Sequence, residues 1–199
     1  MVKPIFYHLL GLLCLLYACN QGPSAKDSTN SKTGEIQAIV EIPAGTNLKY
    51  ELNTATNKIE IDQKDGKDRL IDFLPYPANY GYIPGTMMDE KNGGDGDALD
   101  VFVLSEHLES GTQLDIKPIG VINIKDNGEL DSKIIAIPVE ESKRIMKLEK
   151  FSDFVTEYHM AQQIIQTWVL GYKGMGETEL LGWEDEKAAR QLIQKWTNR

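Results

Sequence analysis

Cysteine is scarce in this chain, with two residues among 199, Cys14 and Cys19, both ahead of the first strand-like run. No disulfide within the folded part is available, so an oxidising compartment is compatible with the sequence without being required by it. Histidine is nearly as scarce, at His8, His107 and His159, which argues against a His-built zinc site and leaves His107 and His159 as surface or structural residues. Basic residues form no run and are outnumbered, 21 Lys and Arg against 30 Asp and Glu. A net charge of −9 with no basic face excludes nucleic acid as the expected partner, since a polyanion is held by Lys and Arg that displace its counterions. The apolar stretch from Ile5 to Tyr17 is also shorter than the ~20 residues that a spanning helix needs.

That stretch reads instead as an export signal over residues 1–18: Lys3 is followed by Ile5, Phe6, Leu9, Leu10, Leu12, Leu13, Leu15 and Leu16 with no acid among them. It ends in Leu16-Tyr17-Ala18-Cys19, which resembles a bacterial lipoprotein cleavage site. The resemblance implies a diacylglycerol on Cys19 and hence an exported, membrane-anchored lipoprotein facing the periplasm. Residues 19–34 then form the lipidated Cys and a flexible tether, because Asn, Gln, Gly, Ser, Lys, Asp and Thr cannot bury enough apolar surface to order themselves. Fifteen such residues reach ~20 Å. The remainder, 35–199, has the length of one domain.

Short β-branched runs bounded by Pro, Gly and Asn predict strands at Ile36–Ile42, Leu48–Leu52, Lys58–Ile61, Asp100–Leu104, Leu114–Ile124 and Lys133–Val139. With no helices between them, they favour an antiparallel barrel or sandwich over a doubly wound sheet. Phe151, Phe154, Val155, Tyr158, Ile165, Trp168 and Val169 recur at helical spacing up to Gly171, and Ala188, Ala189, Leu192, Ile193 and Trp196 mark a second helix from about Glu184. The fold class is α+β, a barrel first and packing helices after.

The densest chemical signal is Gly94-Asp95-Gly96-Asp97-Ala98-Leu99-Asp100, followed by the apolar run Val101 to Leu104. A solvated acidic turn is the plain alternative. Against it, the glycines let successive carboxylates converge, and the strand anchors Asp100. Hard oxygen ligands at this density suit Mg²⁺ or Ca²⁺. An EF-hand loop from Asp95 fails at its middle, where Leu99 and Asp100 stand in place of a ligand and a glycine. Asp126-Asn127-Gly128 reads as a hairpin turn, with Asp131 and Lys133 on one face of the strand beyond it. Lys49 and Glu51 likewise share a strand face, and Tyr172-Lys173 follows a helix.

In their order along the chain these pieces resemble the soluble inorganic pyrophosphatases of the first family. The family pattern Asp-Gly-Asp-Pro-x-Asp is matched by Asp95-Gly96-Asp97-Ala98-Leu99-Asp100. Val40-Glu41-Ile42-Pro43, Lys49-Tyr50-Glu51, Tyr76-Pro77-Ala78-Asn79-Tyr80-Gly81-Tyr82-Ile83, Asp126 with Asp131 and Lys133, Tyr172-Lys173 and Gly182-Trp183 fall in family order. The resemblance implies an OB-like five-stranded barrel. It also implies hydrolysis of pyrophosphate to two phosphates by metal-activated water, with several Mg²⁺ ions, Mn²⁺ being able to substitute. Asp95, Asp100, Asp126 and Asp131 would ligate metal, and Glu41 and Glu51 would act on a further ion through water. Asp97 would be the general base and Tyr80 would support Asp100. Lys49, Lys133, Tyr172 and Lys173 would hold phosphate oxygens. Self-association into a homo-oligomer is compatible with this reading.

Two departures stand out. Ala98 replaces the family's proline, and the family's phosphate-binding arginine is displaced, so that Arg69, Lys67 or Lys64 must supply its charge, with Arg69 ranked first. They leave one alternative open, a catalytically silent lipoprotein that binds divalent metal or phosphate on the same fold.

The chemistry explains the acidity. Hydrolysis drives water onto a phosphorus ringed by negative oxygens, and carboxylates recruit the cations that neutralise them.

Overall fold

The computed structural model describes residues 35–174 and 176–197. The signal at 1–18, Cys19 and the tether to residue 34 lie outside the described residues. The strands are β1 (Ile36–Ile42), β2 (Tyr50–Asn53), β3 (Lys58–Ile61), β4 (Gln63–Lys64), β5 (Lys67–Asp68), β6 (Asn79–Tyr82), β7 (Asp100–Val103), β8 (Gln113–Asp126), β9 (Glu129–Leu130), β10 (Lys133–Pro138) and β11 (Thr178–Asp185). The helices are α1 (Phe151–Thr156), α2 (His159–Gly171) and α3 (Glu186–Trp196).

Five strands close on themselves: β1 pairs with β6, β6 with β7, β7 with β10, β10 with β8, and β8 with β1. Closure pairs each of these five strands on both sides, and β8 is long enough to pair with β1, β10 and the added strand β11 in turn. The expected antiparallel order holds for four of the five pairings. The exception, β7 with β10, is parallel, because β10 folds back from β8 through the β9 turn and enters the ring beside β7. Asn127 and Gly128, both at positive φ, make that turn.

Strand alternation sorts the core into two clusters. Phe102, Leu104, Ile135 and Ile137 pack with Phe154, Ile165, Trp168 and Val169 of α1 and α2, whereas Val101, Val103, Ile134 and Ala136 pack with Ala189, Ile193 and Trp196 of α3. Truncating a fully buried ring such as Phe102 costs about 3–5 kcal/mol.

The helical reading of Phe151–Gly171 is corrected at one point. The helix breaks at Glu157–Tyr158, where Tyr158 (φ −123°, ψ 27°) leaves helical geometry and its hydroxyl accepts from the Lys147 N–H. The acidic start of the last helix also divides: Glu184 lies in β11, and Asp185, the last residue of that strand, caps α3 by accepting from the Lys187 and Ala188 N–H groups.

Candidate active site

Register builds the centre of the site. Parallel pairing sets Lys133 of β10 beside Asp100 of β7, and antiparallel pairing sets Tyr80 of β6 opposite Phe102, two residues from Asp100 on the same face. Lys133 Nζ donates to Asp100 Oδ2 at 2.8 Å and to Asp131 Oδ1 at 2.7 Å, and the Tyr80 hydroxyl donates to Asp100 Oδ2. Burial disfavours the charge of Lys133, which is 2% exposed, but Asp100 and Asp131 outweigh it and hold the ammonium protonated well above the ordinary lysine range. Burial, followed by the charge of Asp100, pushes the Tyr80 hydroxyl far up, so it remains a donor.

Glu41 enters through a bulge. The β1–β6 register shifts between Val40 and Ile42, and Gly81 opposite has Ile39 O where a Cβ would lie, so the two backbones meet closely and Glu41 is the extra residue. Its Oε1 accepts from the Leu52 N–H at 2.9 Å, which ties it to β2. Burial, then the charge of Asp100, raises its carboxyl from 4.5 to about 8. On β2 and just before it, Glu51 and Lys49 form an ion pair.

The Asp95–Asp97 loop is held by backbone. The Met88 N–H donates to Asp97 O at 2.7 Å, the Gly96 N–H donates to Met88 O at 2.8 Å, and the Asp97 N–H donates to Asp95 Oδ1 at 3.0 Å. Gly94 lies against Met88, and the Leu130 N–H donates to Gly93 O, which joins this loop to the turn before Asp131. Burial, then neighbouring carboxylates, raises Asp97; burial and the charges of Asp100 and Asp97 raise Asp95, against the Asp97 N–H bond. Burial raises Asp131 as well, with Lys133 opposing and Asp100 adding to the rise. At the end of β8, Asp126 pairs with Lys173, whose ammonium lies 5.5 Å from the Tyr172 ring centre.

Among the three candidates for the displaced cation, only Arg69 meets the site. Its guanidinium binds Asp62 at 2.8 Å, its carbonyl accepts from the Lys49 N–H, and its charge acts on Glu51 and Tyr76. Lys64 and Lys67 lie exposed on the β4–β5 hairpin.

Sequence reasoning quoted Tyr76 in a motif and Trp168 in a helix without giving either a role at the site. The Tyr76 ring lies 5.3 Å from Tyr80 and 4.4 Å from Trp168, and Trp168 stacks on Tyr172. The spacing of four between Tyr76 and Tyr80, and between Trp168 and Tyr172, was the available signal.

The donors suit hard cations. They are all oxygen, and four of the carboxyls, Glu41, Asp95, Asp97 and Asp131, are held up by burial and by repulsion from their neighbours, a cluster short of positive charge. Among the described residues no three His, Cys, Asp or Glu side chains are gathered into a ready cage; Lys133 stands between Asp100 and Asp131, and Lys173 pairs with Asp126. A surface groove of about 500 Å³ lies elsewhere, between Met87 and Trp196, without such a cluster.

A family model described as inorganic pyrophosphatase matches residues 38–199. An inorganic pyrophosphatase of Synechocystis sp. is 30% identical over 167 residues, 82% of this chain and 90% of that protein. One from Haloferax volcanii is 33% identical over 177 residues, 87% of this chain and 88% of its own length. The crystal structure of the Thermus thermophilus inorganic pyrophosphatase superposes with a TM-score of 0.70 at 27% identity, covering 85% of this chain and 93% of that one. Matched over most of its length by model, relatives and structure alike, this chain belongs to the inorganic pyrophosphatase family.

Proposed function

We propose that this chain hydrolyses inorganic pyrophosphate to two phosphates, water attacking one phosphorus in line with departure of the other phosphate. The observation that carries the reading is the junction of β6, β7 and β10, where Tyr80, Asp100, Asp131 and Lys133 share hydrogen bonds beside the Asp95–Asp97 loop. Membership of the family supports the same activity.

In this reading Asp95, Asp100, Asp126 and Asp131 hold divalent cations, with Glu41 and Glu51 acting on a further one through water. Mg²⁺ is the expected ion, and when bound it neutralises phosphate oxygens and lowers the pKa of water. Asp97 accepts the proton of the attacking water, a role suited to a carboxyl raised toward the working pH by its surroundings. Tyr80 fixes one oxygen of Asp100 and so its orientation. Lys49, Arg69, Lys133, Tyr172 and Lys173 grip the phosphoryl oxygens, the four cations among them each standing beside a carboxylate.

The test is phosphate release from pyrophosphate by residues 20–199, with and without Mg²⁺, beside Asp97→Asn and Asp100→Asn. Metal-dependent turnover lost in both variants is expected. A folded protein silent with both Mg²⁺ and Mn²⁺ would leave only a binding module.

The reading extends to location. The signal-like residues 1–18 and Cys19 support an exported enzyme held at a membrane by lipid, periplasm-facing, on the tether ending at residue 34. Mass spectrometry of the membrane-extracted protein tests it: an unmodified Cys19, or a mature N-terminus elsewhere, removes the anchor.

A further inference from the structure

The end of α2 is gripped by the loop between β5 and β6. Trp168 is 4% exposed, and its Nε1–H donates to Leu74 O at 2.8 Å, so the indole is fixed to the loop between β5 and β6. The same loop puts the Phe73 ring where a side chain at Gly171 would lie, 3.1 Å from an added Cβ. One helical turn beyond Trp168, the Tyr172 N–H donates to Trp168 O at 3.0 Å, and the two rings lie parallel, 5° apart in plane and 4.5 Å apart in centre. The indole also meets Tyr76, tilted at 4.4 Å, and Tyr76 in turn meets Tyr80, whose hydroxyl binds Asp100.

We propose that Trp168 is a positioning residue for substrate binding: clamped by Leu74 O, it sets the ring of Tyr172, and through it the approach of Lys173, to the phosphate. The proposal rests on the pyrophosphatase reading and deepens it. A buried indole N–H ordinarily finds an acceptor, but an ordinary core tryptophan needs no coplanar partner at the functional end of its helix. Here both constraints act on one indole, and the tyrosine it stacks on precedes the lysine that pairs with Asp126. Stacked aromatic pairs favour a narrow range of offsets, so loss of the indole frees the tyrosine to turn away from the site. Without its partner, Tyr172 spends most of its time off target, and binding of the phosphate weakens by the fraction of time lost.

The experiment is a double-mutant cycle. Trp168→Leu is expected to raise KM for pyrophosphate about tenfold with kcat changed less than threefold, and Trp168→Phe, which keeps a ring to stack, to recover most of the loss. In a Tyr172→Leu background the same Trp168→Leu change is expected to leave KM unmoved, because the residue through which the indole acts is already gone. Equal effects of Trp168→Leu in both backgrounds would overturn the proposal, as would loss of kcat in step with loss of folded protein. Should Trp168→Leu not fold, Trp168→Phe alone and with Tyr172→Leu carries the cycle. Absence of turnover in the unmodified enzyme would sink the proposed activity and not this inference. Affinity for inorganic phosphate in Mg²⁺, measured calorimetrically across the same variants, then decides it by the same pattern.

Discussion

Lys133 Nζ stands between Asp100 Oδ2 at 2.8 Å and Asp131 Oδ1 at 2.7 Å, the one ammonium serving two carboxylates inside the barrel wall. The lysine is almost wholly buried and Asp131 nearly so, while Asp100 keeps a partly exposed side chain. Lys133→Met therefore leaves two repelling carboxylates around a gap. In the absence of divalent metal it is expected to lose about 3–5 kcal/mol of stability, read by urea denaturation. Because the same charge serves phosphate in turnover, kcat is expected to fall by about a hundredfold or more. A variant with wild-type stability in EDTA would show that the pair contributes nothing to the metal-free fold.

The raised carboxyls give a pH dependence of definite sign. Glu41 titrates at 4.5 when unconstrained and at about 8 in the folded protein, so between those values the folded state holds a proton that the unfolded chain has released. Stability without metal should accordingly fall as pH rises from 4.5 through 8. A bound cation favours the carboxylate and expels that proton. Calorimetric titration with Mg²⁺ at pH 7 in buffers of different ionisation enthalpy is expected to show proton release, diminished in Glu41→Gln. Buffer-independent heats would contradict this.

The displaced arginine has a direct test. Arg69 lies within the field of Glu51 and Tyr76, whereas Lys64 and Lys67 point along an exposed hairpin. Removing one charge-assisted contact to a phosphate oxygen is worth about 1.5–3 kcal/mol. Arg69→Ala should thus raise KM for pyrophosphate by about 10- to 100-fold, with Lys64→Ala and Lys67→Ala near wild type. Comparable effects at Lys64 or Lys67 would reassign the contact.

How far the sequence could be read follows from where each signal resides. β1 and β3 carry β-branched runs with turn residues at both ends, and their predicted bounds agree with the structure residue for residue. β6, Asn-Tyr-Gly-Tyr, has no β-branched residue, and β11 leaves Leu180 and Leu181 exposed, so neither presents the alternation that marks a strand. Apolar periodicity runs on through Tyr158, which hides the break between α1 and α2. At the site, the Asp95–Asp100 cluster is local and legible. The entry of Glu41 depends on a register shift against β6, and the anchoring of the Trp168 indole depends on Leu74, contacts between distant segments that no local pattern encodes.

The glycine ahead of the acidic cluster separates fold from function. A Cβ on Gly94 would lie 2.4 Å from Met88 O and 2.5 Å from Met88 C, and backbone, unlike the end of a flexible side chain, has nowhere to yield. The displaced carbonyl is the acceptor of the Gly96 N–H, and the N–H of the same Met88 donates to Asp97 O. Gly94→Ala therefore pushes on the two backbone bonds that set the direction of Asp97. Its stability cost is expected in the range of about 2–4 kcal/mol, the scale of overpacking at a site that cannot relax. Gly111, with open space around it but φ at 86°, supplies the control: Gly111→Ala strains its own backbone, at roughly 1 kcal/mol, without touching the Met88 brace. Assayed with saturating Mg²⁺ below both melting temperatures, Gly94→Ala should lose far more kcat than Gly111→Ala. Equal activity in the two variants would mean that the acidic loop finds its working geometry without the Met88 brace.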